Sequence, residues 1–244
     1  MSRLNLKHLL HDVLHYITHA DKGFLLLIKQ LLTRSGTVAK EYIEGKRKRH
    51  FPPLNFFFLV ATILVLVFSL VPLEKKDILQ QHPELNYIKD PLQKAKVIRI
   101  YERQAIAMGF LNKYSNVIAM IAVPLICLIY WLCYFRASYN YIEHLVACMY
   151  MVGITNLIYA CLIVPFSLLI DLNSSGVKIM LFVLFLLFQI IYNGVFYVRF
   201  IGKLSRSSTF KAVGVSILAV SMWYVVSALT IGAYIKHGFW GIFS

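Results

Sequence analysis

The chain has 244 residues, of which 59% are hydrophobic and only 15% charged. A soluble domain carries roughly 45–50% apolar and about 25% charged residues, so no soluble core hides this much apolar surface. The net charge of +14 would suit nucleic acid, but no nucleic-acid-reading motif lies among the basic residues. They flank apolar runs, which fits lipid headgroups and topology signals, and no nucleic-acid partner is expected.

Residues 2–20 have helical periodicity. Leu6, Leu9, Leu10, Val13, Leu14 and Ile17 share one face, with His8, His11, Asp12, His15 and His19 opposite. A second apolar stretch, Gly23 to Leu32, contains Lys29 and is too short to span a bilayer. Both stretches are expected as amphipathic helices on the membrane surface or packed under a bundle. The basic run at 45–49, GKRKR, precedes His50, Phe51, Pro52 and Pro53, and the prolines suit a helix start. The first long apolar run begins near residue 54. That is later than a secretory signal would lie, and the run is expected to stay as an anchor, Leu54–Leu73.

Residues 74–113 are polar and mixed in charge. Asp90 before Pro91 predicts an N-cap and first turn, with a helix from Pro91 to about Asn112 that continues toward the next span. Four more spans follow. They are Tyr114–Phe135 with Pro124 near its middle, Leu145–Ile170 with Pro165 near its far end, Ile179–Val198, and Ala212–Ile235. Short connections at 136–144 and 171–178 make spans two, three and four antiparallel neighbours. Phe239, Trp240 and Phe243 form an aromatic tail suited to the interface.

Lys and Arg counts orient the chain. One side receives ten in residues 1–50, one in 136–144 and four in 199–211. The other receives eight in 74–113 and one each in 171–178 and the tail. The basic run beside the first span adds weight, because charges near span ends count most. The N-terminus is expected in the cytoplasm and the loop 74–113 outside.

Several constellations bear on chemistry. His11 and His15, at i and i+4 beside Asp12, have metal-ligand or pH-sensing spacing, or form a plain polar face; the expectation carried forward is no metal and no cofactor. Cys127, Cys133, Cys148 and Cys161 all fall in apolar segments without ligand-like neighbours and read as packing residues. Glu143 beside His144 at the start of the third span is a weak candidate acid–base pair. Asn140 and Glu143, however, have capping-box spacing. Asn156, Gln189 and Asn193 lie at membrane depth, where amides either glue helices together or line a polar cavity, with Asn140 at its entrance. No span carries an acid or base in its interior, which argues against ion-driven transport. Lys46, Arg47, Lys48 and Arg49 would attract anionic headgroups or serve only as a topology signal. The motifs GxSxG and HExxH and a phosphate-cradling glycine loop are absent.

Asp21, Lys22, Gly23 and Phe24, then LLTRSG at 31–36 and EYIEGKRKRHFPP at 41–53, resemble bacterial membrane proteins of the family known as domain of unknown function 3667. YNYIEHLV at 139–146 is similar to that family's entrance to its third span. Ser35 stands where a proline before the glycine is common. Many relatives begin with a cysteine-rich zinc ribbon that is not expected here, so the resemblance implies no metal. It implies a multi-pass protein of a bacterial inner membrane and no particular activity.

The expected fold is all-α, a polytopic bundle of about five transmembrane helices preceded by two amphipathic helices. Residues 1–50 are expected as a cytoplasmic segment and 51–244 as the bundle. The expected function is a non-catalytic scaffold, assembly or lipid-associated factor, with a small permease or membrane-embedded enzyme as the alternative. Expected partners are membrane lipid and its anionic headgroups, with a membrane-protein partner or a second copy also open.

Overall fold

The computed structural model describes residues 23–70, 83–169 and 175–237. The helix expected at 2–20 and the aromatic tail lie outside these residues. Every regular element among them is helical, and five helices are long and apolar enough to cross a membrane.

Helix α1 covers residues 23–34 and α2 covers Gly36–Ile43. Between them Ser35 sits at a φ of 39°, a left-handed break that separates the two helices. Leu27 and Leu31 of α1 are buried while Leu25, Leu26 and Leu32 are exposed, the amphipathic division expected for this stretch. A single 3-10 turn, Arg47–Arg49, leads to α3, Pro53–Ser69. Pro53 opens α3 at a position whose N–H no helical bond requires.

Helix α4, Pro91–Lys113, begins as expected. The Asp90 carboxylate accepts from the Leu92 N–H at 3.0 Å, with Pro91 in the first turn. Only Tyr114 separates α4 from α5, Ser115–Cys133. Helix α6, Tyr141–Ile158, passes through a π-helical turn at Tyr159–Ile163 into a last stretch, Val164–Leu169. Helices α7, Ser175–Ile201, and α8, Arg206–His237, complete the chain.

The spans α3, α5, α6, α7 and α8 alternate in direction. Helices α1 and α2, the basic turn and the connections at 134–140 and 202–205 therefore gather on one face of the bundle, here the basic face. The α4 side lies opposite. Helix α6 is the axis of the packing, with α3, α5 and α7 against it and Met151 to Thr155 all buried. Phe56, Tyr130, Tyr150, Phe196, Tyr197 and Phe200 fill the core. Leu66, Ile121, Leu184 and Leu229 stay exposed, which costs nothing where the surroundings are hydrocarbon.

Helices α1 and α2 are docked into the bundle. The Tyr192 hydroxyl donates to the Leu31 carbonyl at 3.0 Å, and the Arg199 guanidinium donates to the Thr33 carbonyl at 2.9 Å. Gly36 lies so close to α7 that a Cβ there would stand 1.9 Å from the Phe196 carbonyl oxygen. Helix α2 is not evident from its own sequence, for a physical reason. The segment GTVAKEYI opens with glycine and contains β-branched residues, weak helix formers in isolation, and contact with α6 and α7 stabilises it.

Candidate functional site

The densest polar arrangement lies where α1, α2 and the start of α3 meet. Glu41 of α2 is the hub. One carboxylate oxygen accepts from Arg34 and faces Lys46 Nζ at 3.9 Å, and the other pairs with His50 Nε2 at 3.0 Å. The second ring nitrogen of His50 pairs with Gln30 Oε1 of α1 at 3.1 Å. The His50 side chain is fully buried. Burial alone would raise the Glu41 carboxyl, but hydrogen bonding and charge from Arg34, with His50 and Lys46 behind it, hold it below the usual carboxylate value.

Around this clamp the backbone is fixed on both sides. At the end of α2, Gly45 adopts a φ of 102°, and the Lys46 N–H reaches back to the Glu41 carbonyl at 3.0 Å, a glycine stop of the usual left-handed kind. Beyond His50, the Phe51 carbonyl accepts from the Tyr150 hydroxyl of α6 at 2.6 Å. What these ties hold in place is the turn between them, in which Lys46, Arg47, Lys48 and Arg49 are exposed. Arg136, Lys203 and Arg206 are exposed on the same face.

The clamp and turn lie within residues 21–65, which match the family described as Protein of unknown function (DUF3667). Neither a curated protein nor a solved structure matches the chain. Two of the conspicuous motifs in the matched segment have a physical role. In LLTRSG, Arg34 pairs with Glu41, Ser35 makes the break, and Gly36 permits contact with α7. In EYIEGKRKRHFPP, Glu41 and His50 form the clamp, Gly45 stops α2, and the prolines start α3.

The other sequence candidates are distributed. Asn140 and Glu143 form the predicted capping box. The Asn140 N–H donates to Glu143 Oε2 at 2.7 Å, and the Glu143 N–H donates to Asn140 Oδ1 at 2.9 Å. His144 points inward and is fully buried, so the structure parts it from Glu143. Its Nδ1 lies 3.4 Å from the Tyr197 hydroxyl, which also meets Cys148 Sγ at 3.2 Å. The Tyr197 ring stacks on Tyr130 at 3.8 Å, and the Tyr130 hydroxyl pairs with Ser216 Oγ at 2.9 Å. This seam joins α5, α6, α7 and α8.

Among the described residues, His144 Nε2, Asn193 Oδ1 and Gln189 Oε1 are buried without a hydrogen-bond partner. Asn156 is half-buried on α6, twelve positions and thus roughly 18 Å beyond His144, apart from the seam. No group of three His, Cys, Asp or Glu side chains suited to a metal occurs among the described residues. Sequence reasoning missed Arg34, Glu41 and His50 as a unit, and Tyr130, Tyr197 and Ser216. For the tyrosines a signal was present, because a phenol deep in an apolar span needs a polar partner.

Proposed function

We propose that this protein is a non-catalytic, lipid-associated membrane factor whose DUF3667 segment presents a cationic turn to anionic headgroups. The observation that carries this reading is the contrast between neighbours. Arg47, Lys48 and Arg49 are exposed, while His50 beside them is buried between Gln30 and Glu41. A basic run serving only to orient the chain needs no such anchoring, whereas a turn that engages headgroups gains from being held in one shape. Each basic side chain at an anionic surface contributes about 1 kcal/mol.

The test is thermal unfolding in detergent with added phosphatidylglycerol or phosphatidylcholine. The anionic lipid is expected to raise Tm saturably and the zwitterionic one much less. The triple variant Arg47→Ala, Lys48→Ala, Arg49→Ala should lose most of that difference. Equal effects of the two lipids on the unaltered protein would sink the reading.

We further propose a bacterial inner membrane, which the resemblance to bacterial membrane proteins supports, with the basic face toward the cytoplasm, which the Lys and Arg distribution supports. Reporter fusions at residues 1 and 244 are expected to report opposite sides, and a cytoplasmic signal from both would remove the five-span arrangement. The exposed apolar side chains of α5 and α7 suit lipid, a membrane-protein partner or a second copy.

One observation favours a second reading, a small permease or membrane enzyme: His144 in the seam, and Asn193 and Gln189 on α7, have buried polar atoms without a hydrogen-bond partner. Asn140→Ala should cost about 0.5–2 kcal/mol of stability. Glu143→Gln should be nearly silent, because glutamine keeps the reciprocal bond of the capping box. A Glu143→Gln strain with normal expression that behaves like a deletion would favour the second reading over the first.

A further inference from the structure

Helices α4 and α5 together run against α8 and are tied to it at two points. Near the basic face, Tyr130 of α5 pairs with Ser216 of α8 at 2.9 Å. Toward the other end, the Arg103 guanidinium of α4 donates to the Ile235 and Lys236 carbonyls of α8 at 3.3 and 3.0 Å. Between these ties the helices part and leave a groove of about 270 Å³, open to the side. Phe110 and Leu111 of α4, Ile121 and Leu125 of α5, and Trp223 and Ser227 of α8 are among its walls.

The exposed surface of those walls is almost entirely carbon, so the groove offers nothing to water or to a polar ligand. Along α8 it runs from Trp223 to Tyr234, roughly 16 Å at the helical rise per residue. That is about half the hydrocarbon thickness of a bilayer, the depth of one leaflet. Its volume falls just under the range of small-molecule sites, enough for part of one chain and not for a whole lipid. Cations stand toward the α4 end. Arg103 lies at the end of α8, and Lys236 is exposed beside it.

We propose that this groove binds one acyl chain of a phospholipid in the leaflet on the α4 side, with the headgroup phosphate near Arg103 and Lys236. The chain fills a wall-to-wall apolar space that would otherwise forfeit its dispersion contacts. The inference rests on the lipid-associated reading but places its ligand on the face opposite the basic turn.

Trp223 supplies the reporter. The other two tryptophans, Trp131 and Trp240, are changed to phenylalanine in the full chain. Phosphatidylglycerol with brominated acyl chains is then added to the detergent-solubilised protein. Quenching of Trp223 emission is expected to saturate near one lipid per protein and to be reversed by unbrominated phosphatidylglycerol. Ser227→Phe, which fills the groove from α8, and Ala107→Phe, which fills it from α4, should each abolish the saturable component. Quenching that only rises in proportion to bulk lipid, or that ignores the unbrominated competitor, would overturn the proposal. The competition arm needs no groove variant, so it decides the matter even if both fillers fail to fold. A brominated free fatty acid that saturates the site where the phospholipid does not would also overturn it. The triple alanine variant of the basic turn should leave the quenching unchanged, so this inference and the headgroup reading fail separately.

Discussion

Gly36→Ala is expected to be among the most damaging single-methyl additions in this protein. The new Cβ would stand 1.9 Å from the Phe196 carbonyl oxygen and 2.7 Å from the Phe200 nitrogen. Both are backbone atoms of a membrane helix, so no side chain can rotate away and α2 must lift off α7. Overpacking of this kind costs about 1–3 kcal/mol or more. The Thr33 and Leu31 bonds to Arg199 and Tyr192 would be strained with it. Gly214 is the control, because a Cβ there meets nothing within 4 Å. In that helix interior alanine should be neutral or gain about 0.5–1 kcal/mol. Thermal unfolding of the two variants in detergent separates the cases, and a Gly36→Ala protein that melts with the unaltered one would mean that α2 is not seated as described.

The second large effect is expected at the clamp. His50→Ala removes a fully buried ring and leaves Gln30 and one oxygen of Glu41 unpaired. Each buried polar group left without a partner costs about 1–3 kcal/mol. The Arg34–Glu41 pair contributes less, because the Arg34 side chain is 36% exposed and water screens it.

The clamp also has a pH signature. The folded Glu41 pKa lies below its ordinary value of 4.5, so folding favours the ionised form. That contribution is fully present above pH 4.5 and is lost as pH falls through the lower folded value. Burial holds the His50 pKa below its ordinary value of 6.5 while Glu41 raises it, so the gap between the melting curves of the unaltered protein and Glu41→Gln should if anything widen below pH 6.5 and should close only below about pH 4.5. Convergence already at pH 6 would show that another group governs the clamp.

The spans were legible because the bilayer imposes a length: about 20 apolar residues are needed to cross it. The predicted starts at Pro53 and Pro91 and the capping box at Asn140 were legible because cap chemistry is local in sequence. The clamp was not. Arg34 meets Glu41 seven residues on, past the break at Ser35, and His50 meets Gln30 twenty residues back, past that break and the stop at Gly45. The π turn at Tyr159–Ile163 lies in an unbroken apolar run, where an extra residue leaves no mark on composition. Of the seam, the sequence offered His144 and Asn193 but attached His144 to Glu143. Neighbours at i and i+1 on a helix face different ways, and the capping bond draws Glu143 back toward Asn140 while His144 turns to Tyr197.

The docking of α1 and α2 also has a consequence for how the protein is made. Leu31 is received by Tyr192, 161 residues later, and Thr33 by Arg199, 166 residues later. At about 5–20 residues per second, a ribosome needs roughly 8–33 s to reach the receiving helix after α1 and α2 have been synthesised. During that interval α3, α5 and α6 enter the bilayer while α2 has no α7 to rest on. The Arg34–Glu41–His50 clamp involves only residues up to position 50, so it is available from the outset. The early segment therefore has the means to hold its own shape at the membrane edge until the fourth span arrives to receive it.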